Sequence, residues 1–238
     1  LLGITLHPNF LINKTLYLYY TYEGDNNRTL NRVTKYTFDG KSLADRVVII
    51  DAIPGAPNHN GGRIKFGPDK FLYITTGDAQ NPSLSQNTGS LAGKILRVTD
   101  EGKAAAGNLV GLVYSYGHRN PQGLAWDDKK QLFAIEHGQS AQDELNSIEQ
   151  GKNYGWPEIR GVQEKEGMVN PIIHSGSTTW APSGAAFLNG SIFFAGLRGE
   201  ALFEVNKNFE LKMHLKGELG RIREVVVGPD NLLYITTS

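Results

Sequence analysis

Short apolar runs alternate with polar turns along the whole chain. The runs are rich in Tyr, Ile, Val and Phe, and Gly, Asp, Asn or Pro separates them, which is typical of β-strands. No long segment has a clean 3.6-residue period, and only residues 143–150 leave room for one or two helical turns. The pattern therefore predicts an all-β chain, with strands at 15–22, 32–38, 46–51, 71–75 and 95–99.

An internal repeat becomes visible when the turns are aligned. The segment FGPDKFLYITT at 66–76 returns almost unchanged as VGPDNLLYITT at 227–237, and three looser copies lie between or before them. Repetition at roughly 40–60 residues predicts propeller blades, each a small antiparallel sheet. The turn residues of the five copies are Asn9, Asp69, Asp128, Asn189 and Asp230.

Composition and charge exclude several classes of function. Lys and Arg together number 24, as do Asp and Glu, so no net field attracts nucleic acid or an anionic membrane. No apolar run approaches the roughly 20 residues that a membrane-spanning helix needs. The 238-residue chain has no cysteine, which removes thiol catalysis, zinc–thiolate sites and disulfides.

Polar motifs concentrate between 114 and 157, where GHRNPQGLAW, EHG, DEL-N and GKNYGWP follow one another. Further motifs flank them in order: LLGITLHPNF, HNGGRIKFGPD, ITTGD, APSG and GRIRE. Together these motifs resemble the soluble quinoprotein sugar dehydrogenases, the aldose sugar and glucose dehydrogenases that use pyrroloquinoline quinone (PQQ). The resemblance implies a six-bladed β-propeller formed by residues 1–238 as a single domain. It also implies that this chain lacks the N-terminal blade and the closing strands, and that the protein is periplasmic or extracellular.

His59 and Asp78 are the candidate catalytic residues. A carboxylate beside a histidine fixes its tautomer and stabilises the imidazolium, so the pair suits general-base chemistry. A lone histidine in a loop is otherwise an ordinary surface residue. In the family that the chain resembles, the histidine of this motif takes the proton of the anomeric hydroxyl while hydride goes to the quinone, and the aspartate of T-x-G-D orients the histidine.

PQQ is a flat tricarboxylate, and arginine suits its carboxylates better than lysine does. The resemblance assigns the cofactor contacts to Arg119, Asn120, His137, Arg221 and Arg223. Alternation along a strand would put the last two arginines on one face, although an R-x-R pair is usually just solvated.

A hard cation such as Ca²⁺ would polarise the quinone oxygens. The resemblance places the calcium at the backbone carbonyls of Gly138 and Gln139. A second, structural calcium would use Glu144 and Tyr154, which otherwise read as a loop carboxylate and a core aromatic.

Three departures from the family pattern are visible. Gln139 replaces a proline, which loosens a backbone that must present its carbonyl. Leu197 stands where the soluble glucose dehydrogenases have a lysine, which favours the aldose sugar dehydrogenase branch, and the neighbouring Arg198 does not match that lysine. The segment upstream of LLG, which carries a polar site residue in the family, is absent here.

Three functions remain open on the sequence. The first is an oxidoreductase that converts an aldose to its lactone with PQQ and Ca²⁺, and passes electrons to an external quinone or redox protein. The second is an interaction module of the same lineage without redox activity. The third is a calcium-dependent propeller lactonase, although its cage of carboxylates and asparagines is not evident.

Overall fold

Eighteen strands in five antiparallel sheets account for nearly all regular structure in the computed structural model, which describes residues 1–238. The all-β prediction is confirmed. Three short helices are present: α1 (Phe10–Asn13), a 3₁₀ turn (Asp25–Asn27) and α2 (Ser83–Gln86). No helix is both long and apolar enough to cross a bilayer.

The chain divides into two compact units, Leu1–Asn120 with Gln150–Pro157, and Pro121–Glu149 with Glu158–Ser238.

The first unit contains two four-stranded sheets, each with its strands in sequence order. Their strands are β1 (Gly3–Leu6), β2 (Thr15–Glu23), β3 (Thr29–Phe38) and β4 (Leu43–Pro54), then β5 (Ile64–Phe66), β6 (Leu72–Thr76), β7 (Lys94–Val98) and β8 (Val113–Tyr116). One apolar core joins the two sheets, because side chains such as Tyr19 and Val33 pack against Ile64, Leu72 and Leu96.

The second unit contains two four-stranded sheets and one two-stranded sheet. Their strands are β9 (Pro121–Trp126), β10 (Leu132–Glu136), β11 (Glu144–Ile148) and β12 (Ile173–His174), then β13 (Pro182–Leu188), β14 (Ser191–Gly196), β15 (Ala201–Val205) and β16 (Leu211–His214), then β17 (Ile222–Val227) and β18 (Leu233–Thr237). Apolar residues fill the space between successive sheets, and the first strands contact one another, β9 with β13 and β13 with β17.

The predicted repeat corresponds to one recurring hairpin. Each of the five turn residues lies in the connection between the first and second strands of a sheet. In the two strictest copies the carboxylate bonds are the same. Asp69 accepts from the Phe71 amide and the Tyr73 hydroxyl, and Asp230 accepts from the Leu232 amide and the Tyr234 hydroxyl. The repeat therefore marks sheets, as predicted, while the six-bladed ring, its missing parts and the single domain stay predictions.

The helical reading of residues 143–150 is wrong. This segment contains β11, which pairs with β10 on one side and β12 on the other. Leu145 and Ile148 are both buried, and a spacing of three residues fits a helical face as well as a short strand buried on both sides. Pairing with β10 decides between the two.

A β-bulge lies near the beginning of the first strand in all three sheets of the second unit. Pro121–Gly123 of β9 face only Ile135 and Glu136 of β10, and the register shifts in the same way within β13 and β17. The extra residues fall in the motifs NPQG, APSG and RIRE. A bulge redirects the side chains around it, which is why bulges are common beside functional sites. Gly123 also lets β13 approach closely, since a Cβ there would lie 2.5 Å from the Ser183 carbonyl oxygen.

Candidate functional site

His59 and Asp78, the predicted catalytic residues, form a hydrogen-bonded pair in the first unit. Nδ1 of His59 lies 2.8 Å from Oδ1 of Asp78. The aspartate side chain is 1% exposed, whereas the histidine side chain is 21% exposed. A buried carboxylate thus supports an imidazole that solvent or a ligand can reach.

Arg119 determines which nitrogen of His59 carries the proton. Its Nη2 atom lies 3.1 Å from Nε2 of His59. A guanidinium can only donate, so Nε2 accepts and the proton resides on Nδ1, where it is donated to Asp78. This geometry assigns the Nδ1–H tautomer, and the lone pair of Nε2, on the side away from the carboxylate, is directed at Arg119.

The loop that carries His59 is strained and is stabilised by buried amides. His59 has φ +58°, a left-handed conformation that is uncommon for a residue other than glycine. Next to it, Oδ1 of the buried Asn60 accepts from the Ala56 amide at 3.0 Å and from Asn31 Nδ2 at 3.1 Å. The Tyr19 hydroxyl donates to the Asn60 carbonyl at 2.8 Å. These bonds keep the strained conformation in place.

Gly77 allows the two halves of the pair to approach. A Cβ at this position would lie 1.9 Å from the His59 carbonyl oxygen, so no other residue fits without moving the backbone. Ala79, just beyond Asp78, donates its amide to the same carbonyl at 3.2 Å. The glycine of the ITTGD motif therefore has a steric role next to the His59–Asp78 pair.

Backbone contacts join the HRN motif to the same place. Asp78 donates its amide to the Arg119 carbonyl at 2.8 Å, and Oδ1 of Asn120 accepts from the Gly61 amide at 3.0 Å. Asn120 is buried, and its side-chain oxygen is thus bonded within the protein.

Trp156 is a site residue that the sequence did not reveal. Its indole Nε1 donates to Oδ2 of Asp78 at 2.9 Å, and its ring lies 5.2 Å from the Arg119 guanidinium carbon. The neighbouring Tyr154 is buried, and its ring stacks on His118 at 4.8 Å. The one available signal was the position of Trp156 in GKNYGWP, since a buried indole usually needs an acceptor.

The loop after β10 carries three predicted residues of the second unit. His137 and Gly138 are half-buried, and Gln139 is exposed at the edge of an open pocket of about 310 Å³ that Arg160 and Ser177 also line. The Gly138 amide donates to Oδ1 of Asp143 at 2.9 Å.

Asp143 is a second residue that the sequence analysis did not single out. Its other oxygen, Oδ2, accepts from the Thr179 hydroxyl and from the amides of Trp180 and Ala181. This buried carboxylate therefore attaches the loop after β10 to the residues before β13.

Glu136 and Glu144 face one another across β10 and β11. Burial, and after it the charge of Glu136, raises the pKa of Glu144 to about 8. Nδ2 of Asn146 donates to both carboxylates, at 3.1 and 3.4 Å, while its buried Oδ1 accepts no hydrogen bond. A buried carboxylate, a half-buried one and a buried amide oxygen thus lie together, although the chain contains no cluster of three His, Cys, Asp or Glu side chains suited to a metal.

Arg221 and Arg223 flank the buried Ile222, and both are exposed. Arg223 is the extra residue of the β17 bulge, because Ile222 and Glu224 pair with the adjacent Thr237 and Thr236.

The predicted residues fall into two groups. The first unit brings together His59, Asp78, Arg119 and Asn120, and also contains Tyr154. The second unit contains His137, Gly138, Gln139, Glu144, Arg221 and Arg223.

Comparison with known proteins decides the family. A family model described as glucose/sorbosone dehydrogenase matches residues 1–238. The chain belongs to this family. The resemblance inferred from the motifs is thereby confirmed.

Individual relatives within the glucose/sorbosone dehydrogenase family are similar over nearly the whole chain. The PQQ-bound aldose sugar dehydrogenase of Streptomyces coelicolor superposes with a TM-score of 0.92 at 43% identity, covering 99% of this chain and 73% of that one. An uncharacterised protein of Synechocystis is 35% identical over 100% of this chain and 68% of its own length. The aldose sugar dehydrogenase YliI of Escherichia coli is 29% identical over 100% of this chain and 74% of its own length.

Proposed function

We propose that this protein oxidises the anomeric hydroxyl of aldose sugars to lactones, with PQQ as the electron acceptor and Ca²⁺ as its metal. The supporting observation is the pairing of His59 with the buried Asp78, which leaves Nε2 as the accepting nitrogen of the imidazole. Arg119 donates to Nε2 in this structure, and Nε2 can take a hydroxyl proton once Arg119 turns to a carboxylate of the cofactor. Membership of the glucose/sorbosone dehydrogenase family and similarity to a PQQ-bound aldose sugar dehydrogenase support the choice of cofactor.

We assign the following roles to residues of the first unit. His59 accepts the proton of the sugar's C1 hydroxyl at Nε2, and the carbon–oxygen double bond forms as C1 loses hydride. Asp78 accepts from Nδ1 and stabilises the imidazolium that results. Arg119 supplies a positive charge suited to a carboxylate of the cofactor.

For PQQ we propose contacts from Arg119 and Asn120 of the first unit and from His137, Arg221 and Arg223 of the second. The guanidinium groups are chemically suited to the carboxylates of a tricarboxylate quinone. When bound, PQQ supplies an acceptor for the electron pair that leaves the sugar. The electrons then pass to an external acceptor, a quinone or a redox protein, and we place the reaction in the periplasm or outside the cell.

We also propose two calcium sites. The carbonyls of Gly138 and Gln139 would hold the ion that polarises the quinone, and Glu144 with Tyr154 would hold a structural ion. The buried oxygen of Asn146 that accepts no hydrogen bond, next to Glu136 and Glu144, supports the second of these, because hard cations bind such oxygens. We further propose that the sheets belong to a six-bladed propeller.

Reconstitution tests the proposal directly. The protein is incubated with PQQ and Ca²⁺, and reduction of an artificial dye is followed with glucose and other aldoses, alongside a thermal shift with PQQ alone. Dye reduction that requires PQQ, Ca²⁺ and an aldose together is the expected result. The absence of both dye reduction and a PQQ-induced thermal shift would contradict the proposal and favour an interaction module.

A further inference from the structure

The indole of Trp156 contacts both groups that flank the catalytic imidazole. Its Nε1 donates to Oδ2 of Asp78 at 2.9 Å, and its ring lies beside Arg119. The tryptophan is 8% exposed and the aspartate 1% exposed, so water does not compete for this bond. The contact joins residues that are 78 positions apart in the chain.

The bond to Trp156 determines the plane of the Asp78 carboxylate. Oδ1 accepts from His59 Nδ1 at 2.8 Å and from the Gln80 amide at 2.9 Å, and Oδ2 accepts from the indole. Without the indole, Oδ2 would be a buried acceptor that has lost this donor, and the carboxylate could rotate about its Cβ–Cγ bond. Rotation would change the direction in which Oδ1 meets the imidazole, since a partner's hydrogen bonds orient a functional histidine.

Trp156 is itself fixed by its backbone. Its amide donates to the Gly117 carbonyl at 2.9 Å, and its carbonyl accepts from Nε2 of Gln86 at 2.7 Å. The indole is therefore presented from a segment bound on both sides, and its position does not depend on contact with Asp78 alone.

We infer that Trp156 is a positioning residue for the reaction, acting through Asp78 on the direction of the His59 lone pair. The inference rests on the proposed function for its effect on turnover. Its effect on the His59–Asp78 bond does not depend on that function. A merely structural tryptophan would contribute packing but no directed N–H, and this difference makes the two roles separable.

The experiment replaces the donor and keeps the shape. Trp156→Phe removes the N–H, and 3-benzothienylalanine at 156 keeps the bicyclic ring and its contact with Arg119 while sulfur replaces the N–H. Trp180→Phe is the matched control, because Trp180 is equally buried (5% exposed) among Phe194 and Phe203 in the second unit.

Two readouts decide the matter. In the protein without cofactor, the downfield proton resonance of His59 Nδ1 should shift in both position-156 variants and stay in place in Trp180→Phe. With cofactor, kcat should fall about ten- to a hundredfold, as expected for a hydrogen bond to a charged group, while KM and the PQQ dissociation constant change less than about twofold.

A double-mutant cycle completes the test. If the tryptophan acts through the aspartate, Asp78→Asn with Trp156→Phe should turn over no more slowly than Asp78→Asn alone. Additive losses, or an unchanged His59 proton resonance in the position-156 variants, would overturn the inference. If the wild type lacks dye reduction, the proposed function fails while the proton resonance still decides the role of Trp156.

Discussion

The carboxylates of the two units differ in how fully the chain supplies them with hydrogen-bond donors. In the first, Asp78 receives N–H donors from His59, Gln80 and Trp156, and the chain alone supplies all three. In the second, Glu136 and Glu144 face one another and share an amide donor from Asn146, and Glu144 also accepts from the Gly161 amide. Burial, and after it the charge of Glu136, nevertheless raises the pKa of Glu144 to about 8. The His59–Asp78 pair is thus preorganised, whereas a bound proton or cation would stabilise the Glu136–Glu144 pair. Ligand dependence should therefore appear in the second unit.

Among the changes in the first unit, removal of the general base His59 should have the largest effect on turnover. His59→Ala should lower turnover by about 10²–10⁴, the usual contribution of general-base catalysis, with little change in PQQ affinity. Arg221→Ala should instead weaken PQQ binding. Dye-reduction kinetics and PQQ titration measure the two effects, and swapped phenotypes would show that these roles are wrong.

Gly77→Ala tests whether the dyad depends on close backbone approach. The new Cβ would meet the His59 carbonyl, so we expect a loss of about 1–3 kcal/mol in the free energy of unfolding, together with reduced turnover. Gly89→Ala is the control, because that exposed glycine meets only the side chain of Asn87, at 3.2 Å. Urea denaturation checks both variants, and equal stabilities would contradict the steric role.

Calcium and pH should act on the glutamate pair. Because the pKa of Glu144 is raised from 4.5 to about 8, its favourable contribution to stability is present below the unfolded value and is lost as pH rises toward 8. With EDTA, the free energy of unfolding should fall across this window. Ca²⁺ at a hundred times its dissociation constant should restore about 2.7 kcal/mol.

Two variants sharpen the calcium prediction. Glu136→Gln should flatten the pH dependence in EDTA, since it removes a charge that raises the pKa of Glu144. The exposed Glu166→Gln should leave the pH dependence unchanged. A pH profile in EDTA that Glu136→Gln does not alter would show that the two carboxylates are not coupled.

The smallest effect is expected at Gln139. Gln139→Pro restores the family residue and should raise the free energy of unfolding by up to about 1 kcal/mol, because proline restricts the unfolded chain. Calcium titration should show modestly tighter binding. A loss of stability would mean that the backbone at 139 does not accept proline.

Local patterns were enough for the strands, whereas the pairing of His59 with Asp78 was predicted from the resemblance to the family. Alternation and turn residues located the hairpins, and each Asp turn bonds to its own neighbours, so the repeat is a short-range property. Trp156 could not be found in this way, because its acceptor depends on tertiary packing. The opposition of Glu136 and Glu144 likewise depends on the pairing register of β10 with β11, in the segment that was misread as helical.

The bulges in β9, β13 and β17 have a consequence for redesign. Each extra residue is accommodated in one strand at its tip, and pairing returns to register within the same strand. Exchange is limited to positions such as the exposed Arg223, because Gly123 approaches the Ser183 carbonyl closely and Ile222 is buried. Libraries confined to such exposed positions should leave the thermal stability of the sheets largely intact.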